Sequence, residues 1–159
     1  MTLDTRVEKA LIGINFVERY ENISKQYNRE RTPKGEELDY FDGDFLMEIV
    51  GLLGYKAQYD KREHFFYIDL EEIGHFRFGF HFAFEFGLLE LIWVVYEGDK
   101  VVLGSPWTIY PRLMIARDYI IKYPIISDYV DFRDVMKIAF EMYEEFKQAF
   151  LKAAAGDEE

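Results

Sequence analysis

Three histidines are the first residues to weigh, because an imidazole can act as a general base or a metal ligand. His75 and His81 stand six residues apart, roughly 20 Å along an extended chain at ~3.3 Å per residue, too far to hold one metal ion. His64 is expected to face the opposite way. No His-Glu-x-x-His spacing occurs. Glu85 and Glu90 could form a carboxylate pair for acid–base work, but nothing around them would split their pKa values. Ser105, in Gly104-Ser105-Pro106-Trp107, lacks the second glycine of a nucleophile elbow and has no histidine and acid at meaningful spacing. There is no cysteine and no Gly-Lys-Ser/Thr phosphate loop. The expectation is a non-enzymatic protein with no catalytic residue, no metal site and no cofactor.

Binding chemistry has two candidate locations. Asp39, Asp42, Asp44 and Glu48, in ELDYFDGDFLMEI, form an acidic cluster that fails the calcium-loop pattern around Gly43. It reads either as a solvated helix start, where acids suit the dipole, or as a ridge that docks cationic groups. The second location depends on strand register. Tyr67, Arg77, His81, Leu91 and Trp93 are expected to share one sheet face. Either a helix covers that face as a second core layer, or it is an exposed aromatic patch with an arginine, the residue types enriched at interface hot spots.

Composition limits the partners. The chain has 159 residues, half of them apolar and 18% aromatic, enough to bury a core as a single domain over residues 1–159. Thirty acidic against nineteen basic side chains give a formal charge of −11. Such a surface repels phosphate backbones and anionic membranes, so no direct nucleic-acid or membrane partner is expected. MTLDTRVEKALIGINF lacks the basic start of a signal peptide, and no uncharged apolar run approaches the ~18 residues of a membrane span. A cytoplasmic location is expected.

The elements that must position these residues follow from periodicity. Val7, Ala10, Leu11, Ile14 and Val17 recur at helical spacing. A second helix is predicted over Leu38–Leu53, with Phe41, Phe45, Ile49 and Leu52 as its apolar stripe. From Tyr55 to Trp107 the period becomes two, which predicts strands at 55–59, 63–71, 75–85, 88–97 and 100–107. A short helix over 112–121 and a long C-terminal helix follow, the latter capped by Asp131 and packed through Val135, Ala139, Met142, Phe146 and Ala149. The predicted class is α+β: an antiparallel β-meander of about five strands packed by N-terminal helices and a long C-terminal helix.

The stretch HFRFGFHFAFEF places phenylalanine at every even position from 76 to 86. Three-residue loops at Glu72-Ile73-Gly74 and Glu85-Phe86-Gly87, and a two-residue turn at Gly98-Asp99, predict a register. In it Phe66 pairs with Phe80, Asp69 with Arg77, and Phe80 with Ile92. One face then carries Phe66, Ile68, Leu70, Phe76, Phe78, Phe80, Ile92, Val94, Tyr96, Val101 and Leu103. Phe86 falls in a loop, so five of the six rings are expected in the core. Trp93 is expected on the opposite face, over strand glycines.

The second half of the chain resembles the immunity proteins of bacterial polymorphic toxin systems. The residues that carry the likeness are LLELIWVVYEGDKVVLGSPW (Leu88–Trp107), YPRLM (Tyr110–Met114) and YPIISDYVDFRDVMKIAFEMYEEFK (Tyr123–Lys147). The resemblance implies a cytoplasmic, non-catalytic protein of bacterial competition that binds a cognate protein toxin and blocks it. Many such toxins are nucleases, and an acidic ridge could occupy their basic active sites. Candidate partner-binding residues on this reading are Asp39, Asp42, Asp44 and Glu48, then Tyr67, Arg77 and Trp93. The alternative is a small hydrophobic-ligand-binding α+β module, with an apolar pocket between the aromatic sheet and a helix.

Overall fold

The computed structural model describes residues 2–157. The chain runs α1 (Thr5–Gly13), α2 (Phe16–Gln26), α3 (Gly43–Leu52), β1 (Ala57–Asp60), β2 (Phe65–Ile68), β3 (Glu71–Ile73), β4 (Phe76–Glu85), β5 (Leu88–Glu97), β6 (Lys100–Leu103), α4 (Ile109–Met114) and α5 (Tyr129–Asp157). This is an α+β fold with one antiparallel sheet, in the order β1-β2-β4-β5-β6, and β3 pairs with β4 beyond the end of β2.

β4 is the centre of the structure. Phe76, Phe78, Phe80, Phe82 and Phe84 are all buried, whereas Phe86 is exposed. The five rings meet the aromatic side chains of α5 in sequence. Phe84 and Phe82 lie against Phe132, Phe80 against Phe140 and Tyr143, and Phe78 and Phe76 against Phe150, with centroids 4.7–6.4 Å apart. The helix therefore runs antiparallel along the strand. The lengths match: eight strand steps from Phe84 to Phe76 cover ~26 Å, and eighteen helix steps from Phe132 to Phe150 cover ~27 Å. Each such ring contributes about 1.5–3 kcal/mol by burial.

On its other side α5 receives α1 through Val7, Ala10 and Leu11. Apolar residues thus extend around more of α5 than the predicted stripe, to Phe132, Met136, Phe140, Tyr143 and Phe150 as well. Arg6 ties α1 to the sheet. Its guanidinium bonds Asp4, the cap of α1, and Glu97 at the end of β5, and it lies 5.6 Å from the Phe76 ring centre.

The single helix suggested by Val7 to Val17 is broken in two. Asn15 takes a left-handed conformation, φ 57°, between α1 and α2. Asparagine tolerates this region because its short polar side chain compensates locally. The bend brings Phe16 and Tyr20 of α2 onto Trp107, at 5.1 Å each.

Two predicted hairpins are corrected. The β3–β4 and β4–β5 loops have two residues each, since Ile73 faces Phe76 and Glu85 faces Leu88. At the second, Phe86 and Gly87 both have positive φ, 54° and 76°, the conformation whose twist matches paired strands. This shifts β5 by one residue and reverses its faces. Phe80 pairs with Trp93 rather than Ile92. Leu89, Leu91, Trp93 and Val95 turn inward, while Ile92 and Tyr96 remain half-exposed. Burying the larger set, with its tryptophan, offsets the strain at Phe86. The turn at Gly98-Asp99 is as expected, with Glu97 facing Lys100, but a bulge at Val95/Tyr96 then sets Leu103 opposite Val95 rather than Val94.

The predicted strand 63–71 is two strands. Phe66 pairs with Phe82, two residues from the predicted Phe80, so its face is kept. Asp69 and Leu70 leave the ladder. Leu70 instead lies over Gly79, where a Cβ would come within 2.7 Å of its Cδ2. Asp69 accepts a bond from Gln58, and Glu72 takes the place opposite Arg77.

The entry to α5 is also shifted. Asp128 caps it, accepting from the Asp131 amide at 2.8 Å, and Asp131 reaches back to the Ser127 amide and hydroxyl. Asp131 also takes a two-pronged contact from Arg31, at 3.0 and 2.8 Å. Burial pushes its pKa up, and the Arg31 and Ser127 bonds outweigh that and hold it below the ordinary 3.8.

Two predictions follow from these contacts. Phe80→Ala should cost about 3–5 kcal/mol in urea unfolding, whereas Phe86→Asn should gain about 0.5–1 kcal/mol by suiting the turn. Asp131→Asn should cost about 1–3 kcal/mol near neutral pH. Because the folded-state pKa is lowered, this contribution is complete above about pH 4 and fades as pH falls below it, so the two unfolding curves should converge in acid.

Candidate functional site

α3 begins at Gly43, later than the predicted Leu38, because Asp42 caps it. The Asp42 carboxylate accepts from the Asp44 and Phe45 amides at 3.0 and 3.4 Å. The later start rotates the helix. Leu46, Ile49 and Val50 face the core, whereas Phe45 and Leu52 of the predicted stripe are exposed. Phe41 still packs inward, on Phe84 at 4.9 Å.

The starts of α3 and α5 meet. The Asp42 amide donates to the Tyr129 hydroxyl at 2.9 Å, and the rings of Phe45 and Tyr129 stand edge to face at 4.6 Å. Around this junction lie Tyr40, which is 93% exposed, with Phe45 and Val130, which are 40% and 52% exposed. The acidic cluster is thus one ridge with apolar side chains set among its carboxylates. Its members are not equivalent. Asp42 is used as a cap. Among the described residues, no hydrogen bond or ion pair engages the carboxylates of Asp39, Asp44 or Glu48. Asp44 and Glu48 are four residues apart on one helix, a spacing at which like charges repel by about 0.2–0.5 kcal/mol.

Several other acids are engaged within the fold. Glu97 bonds Arg6, Glu37 bonds Arg29, and Glu145 bonds Arg19. Glu71 and Glu144 pair with Lys147, a nearly buried cation that also lies 4.5 Å from the Tyr143 ring centre.

Comparison with protein-family models, curated proteins and solved structures returns no match. The functional reading therefore stands on the geometry of the chain itself.

The second candidate location is only partly assembled. Tyr67 and Arg77 do share a face, the one turned away from α1, α3 and α5. No helix among the described residues covers it. Trp93 is not on it. The tryptophan is wholly buried, stacked on Phe146 at 4.7 Å and edge-on to Trp107 at 5.0 Å, because the β4–β5 turn reverses β5. Leu91 is turned inward with it. Ile92 and Tyr96 take their places outside. His81 stacks on Phe65 at 4.8 Å, and burial holds its pKa below the ordinary 6.5. Arg77 lies 5.0 Å from the Tyr96 ring centre and donates to the Gly98 carbonyl.

The ridge and the sheet face belong to different layers. A Cβ on Gly43 would touch Phe66, which points inward, so α3 stands on the helical side of the sheet. The four acids lie in the segment that enters and opens α3; Tyr67 and Arg77 are on the far side of the sheet, and Trp93 is in between. Tyr40, Phe45, Tyr129 and Val130 were not singled out as contact residues from sequence. The signal available was Asp42-Gly43-Asp44, a cap signature that places the helix start and so exposes Phe45.

Stability should separate the two roles within the ridge. Asp42→Ala should cost about 1 kcal/mol through the lost cap. Glu48→Gln should be neutral or stabilising by about 0.2–0.5 kcal/mol, since it removes a repulsion. Chemical denaturation of both variants measures the difference.

Proposed function

We propose that this chain is an immunity-type inhibitory protein that binds a cognate protein toxin and covers a basic active site with the ridge at the start of α3. The observation that carries the reading is the state of Asp39, Asp44 and Glu48: solvent-facing carboxylates without partners among the described residues, set beside the exposed rings of Tyr40 and Phe45. A cationic partner would relieve the Asp44–Glu48 repulsion and replace the counter-charge that the fold does not supply. The rings would provide the apolar contact that charge alone lacks, since aromatic anchors dominate binding energy at interfaces. A formal charge of −11 would speed encounter with a basic surface. A nuclease cleft, basic because it must hold phosphates, has the complementary chemistry.

The test is binding to the polypeptide encoded beside this gene. A one-to-one complex is expected, with neutralised toxicity and an affinity that falls as salt rises. Asp39→Asn, Asp44→Asn and Glu48→Gln together should weaken it about ten- to hundredfold, chiefly through the association rate. Tyr67→Ala with Arg77→Ala should change it far less. A neighbouring polypeptide that is neither toxic nor bound would overturn the proposal.

A further inference from the structure

A cleft of about 430 Å³ opens where the chain returns from α4 to α5. Its walls are apolar: Leu88, Ile120, Ile121 and Ile125. The walls are held by backbone bonds. Leu88 bridges to Ile125, the Leu89 amide donates to the Pro124 carbonyl at 3.2 Å, and the Ile125 amide donates to the Tyr27 carbonyl at 2.8 Å. A volume of this size lies within the range of preformed small-ligand sites. Ile120, 75% exposed, sits at the mouth, and no described residue covers it.

The charge of the cleft is opposite to that of the protein. Arg29, Arg112 and Lys122 line it and, among the described residues, no carboxylate does, in a chain with eleven more acids than bases. Arg29 is already held by Glu37 at 2.9 Å. Arg112 uses Nε on the Arg117 carbonyl, and neither of its terminal nitrogens has a partner among the described residues. Lys122 likewise has none. A second engaged acid beside the cleft is Glu90, which accepts from the Tyr123 hydroxyl at 2.8 Å. Two available cations beside an apolar cleft match a ligand with one anionic end and a hydrocarbon body. A guanidinium presents paired donors to the two oxygens of a carboxylate.

We propose that this cleft binds amphipathic carboxylates of medium chain length, with the head group at Arg112 and Lys122 and the chain along the isoleucines. The cleft lies apart from the layer between the sheet and α5, where the phenylalanines of β4 pack on the rings of the helix. The cleft is lined by none of the ridge's carboxylates, so either proposal can fail without the other.

The experiment uses the full chain, labelled at isoleucine methyls, and titrates it with decanoate, decyl sulfate, decanol and decyltrimethylammonium below their micelle concentrations. Saturable shifts at Ile120, Ile121 and Ile125 are expected with decanoate, with decanol and decyl sulfate weaker and the ammonium compound without effect. The double substitution Arg112→Gln with Lys122→Gln removes two exposed cations and the Arg112 bond to the Arg117 carbonyl, and unchanged methyl signals away from the cleft check that the fold is kept. The substitution should lower decanoate affinity about tenfold and leave decanol affinity as it was. Equal binding of all four probes, stronger binding of the sulfate, decanoate binding that the substitutions do not alter, or no methyl shift would each overturn the proposal.

Discussion

The contact between the phenylalanines of β4 and the aromatic face of α5 is the constraint on which the rest depends. Five rings from the strand lie along four from the helix, and the two ladders keep step because strand and helix cover equal distances between their ends. Once α5 lies along β4, its opposite side is left apolar and must be covered, and α1 does so. The small side chain of Ala10 lets the two helices approach closely. Tryptophan 93 then closes the core laterally, joining the stack to a second group formed by Phe16, Tyr20, Trp107 and Tyr110.

The sheet has consequently one dry face and one wet face. All the large helices are drawn to the phenylalanine side, and the other side keeps residues of mixed character. Gly79 is bare there so that Leu70 can fold across it. Charge is also divided between uses. Arg6, Arg31 and Lys147 each hold acids that anchor one element to another, from α1 to β5, from the loop after α2 to α5, and from α5 to β3. Among the described residues, the acids at the start of α3 anchor nothing, apart from Asp42.

The ridge and the cleft share a support. The Leu38 amide donates to the Ile126 carbonyl, and the Ile126 amide donates to the Gly87 carbonyl, both at 2.8 Å. Gly87 is in turn packed against Glu37, where a side chain on the glycine would collide. One short segment, Glu37 to Asp39, therefore runs from the ion-pair partner of the cleft residue Arg29 to the first carboxylate of the ridge.

Sequence by itself determined the elements with strong periods. The alternation from His75 to Glu85 defined β4 and which of its faces is dry, because only the even positions are large and apolar. The same clarity gave the long C-terminal helix and excluded Phe86 from the core. For the candidate site, the four acids were legible as a cluster, since they are adjacent in the chain. Tertiary structure alone decided what local pattern left degenerate. Both alternations of β5 are apolar, so the inward set was chosen by the loop length and by the space for Trp93 between Phe146 and Trp107. Capping by Asp42 set the phase of α3 and exposed Phe45, and an asparagine turn split the first helix. In each case the competing local arrangements differ by only about 1 kcal/mol of propensity or strain, which burial of one large ring is enough to override.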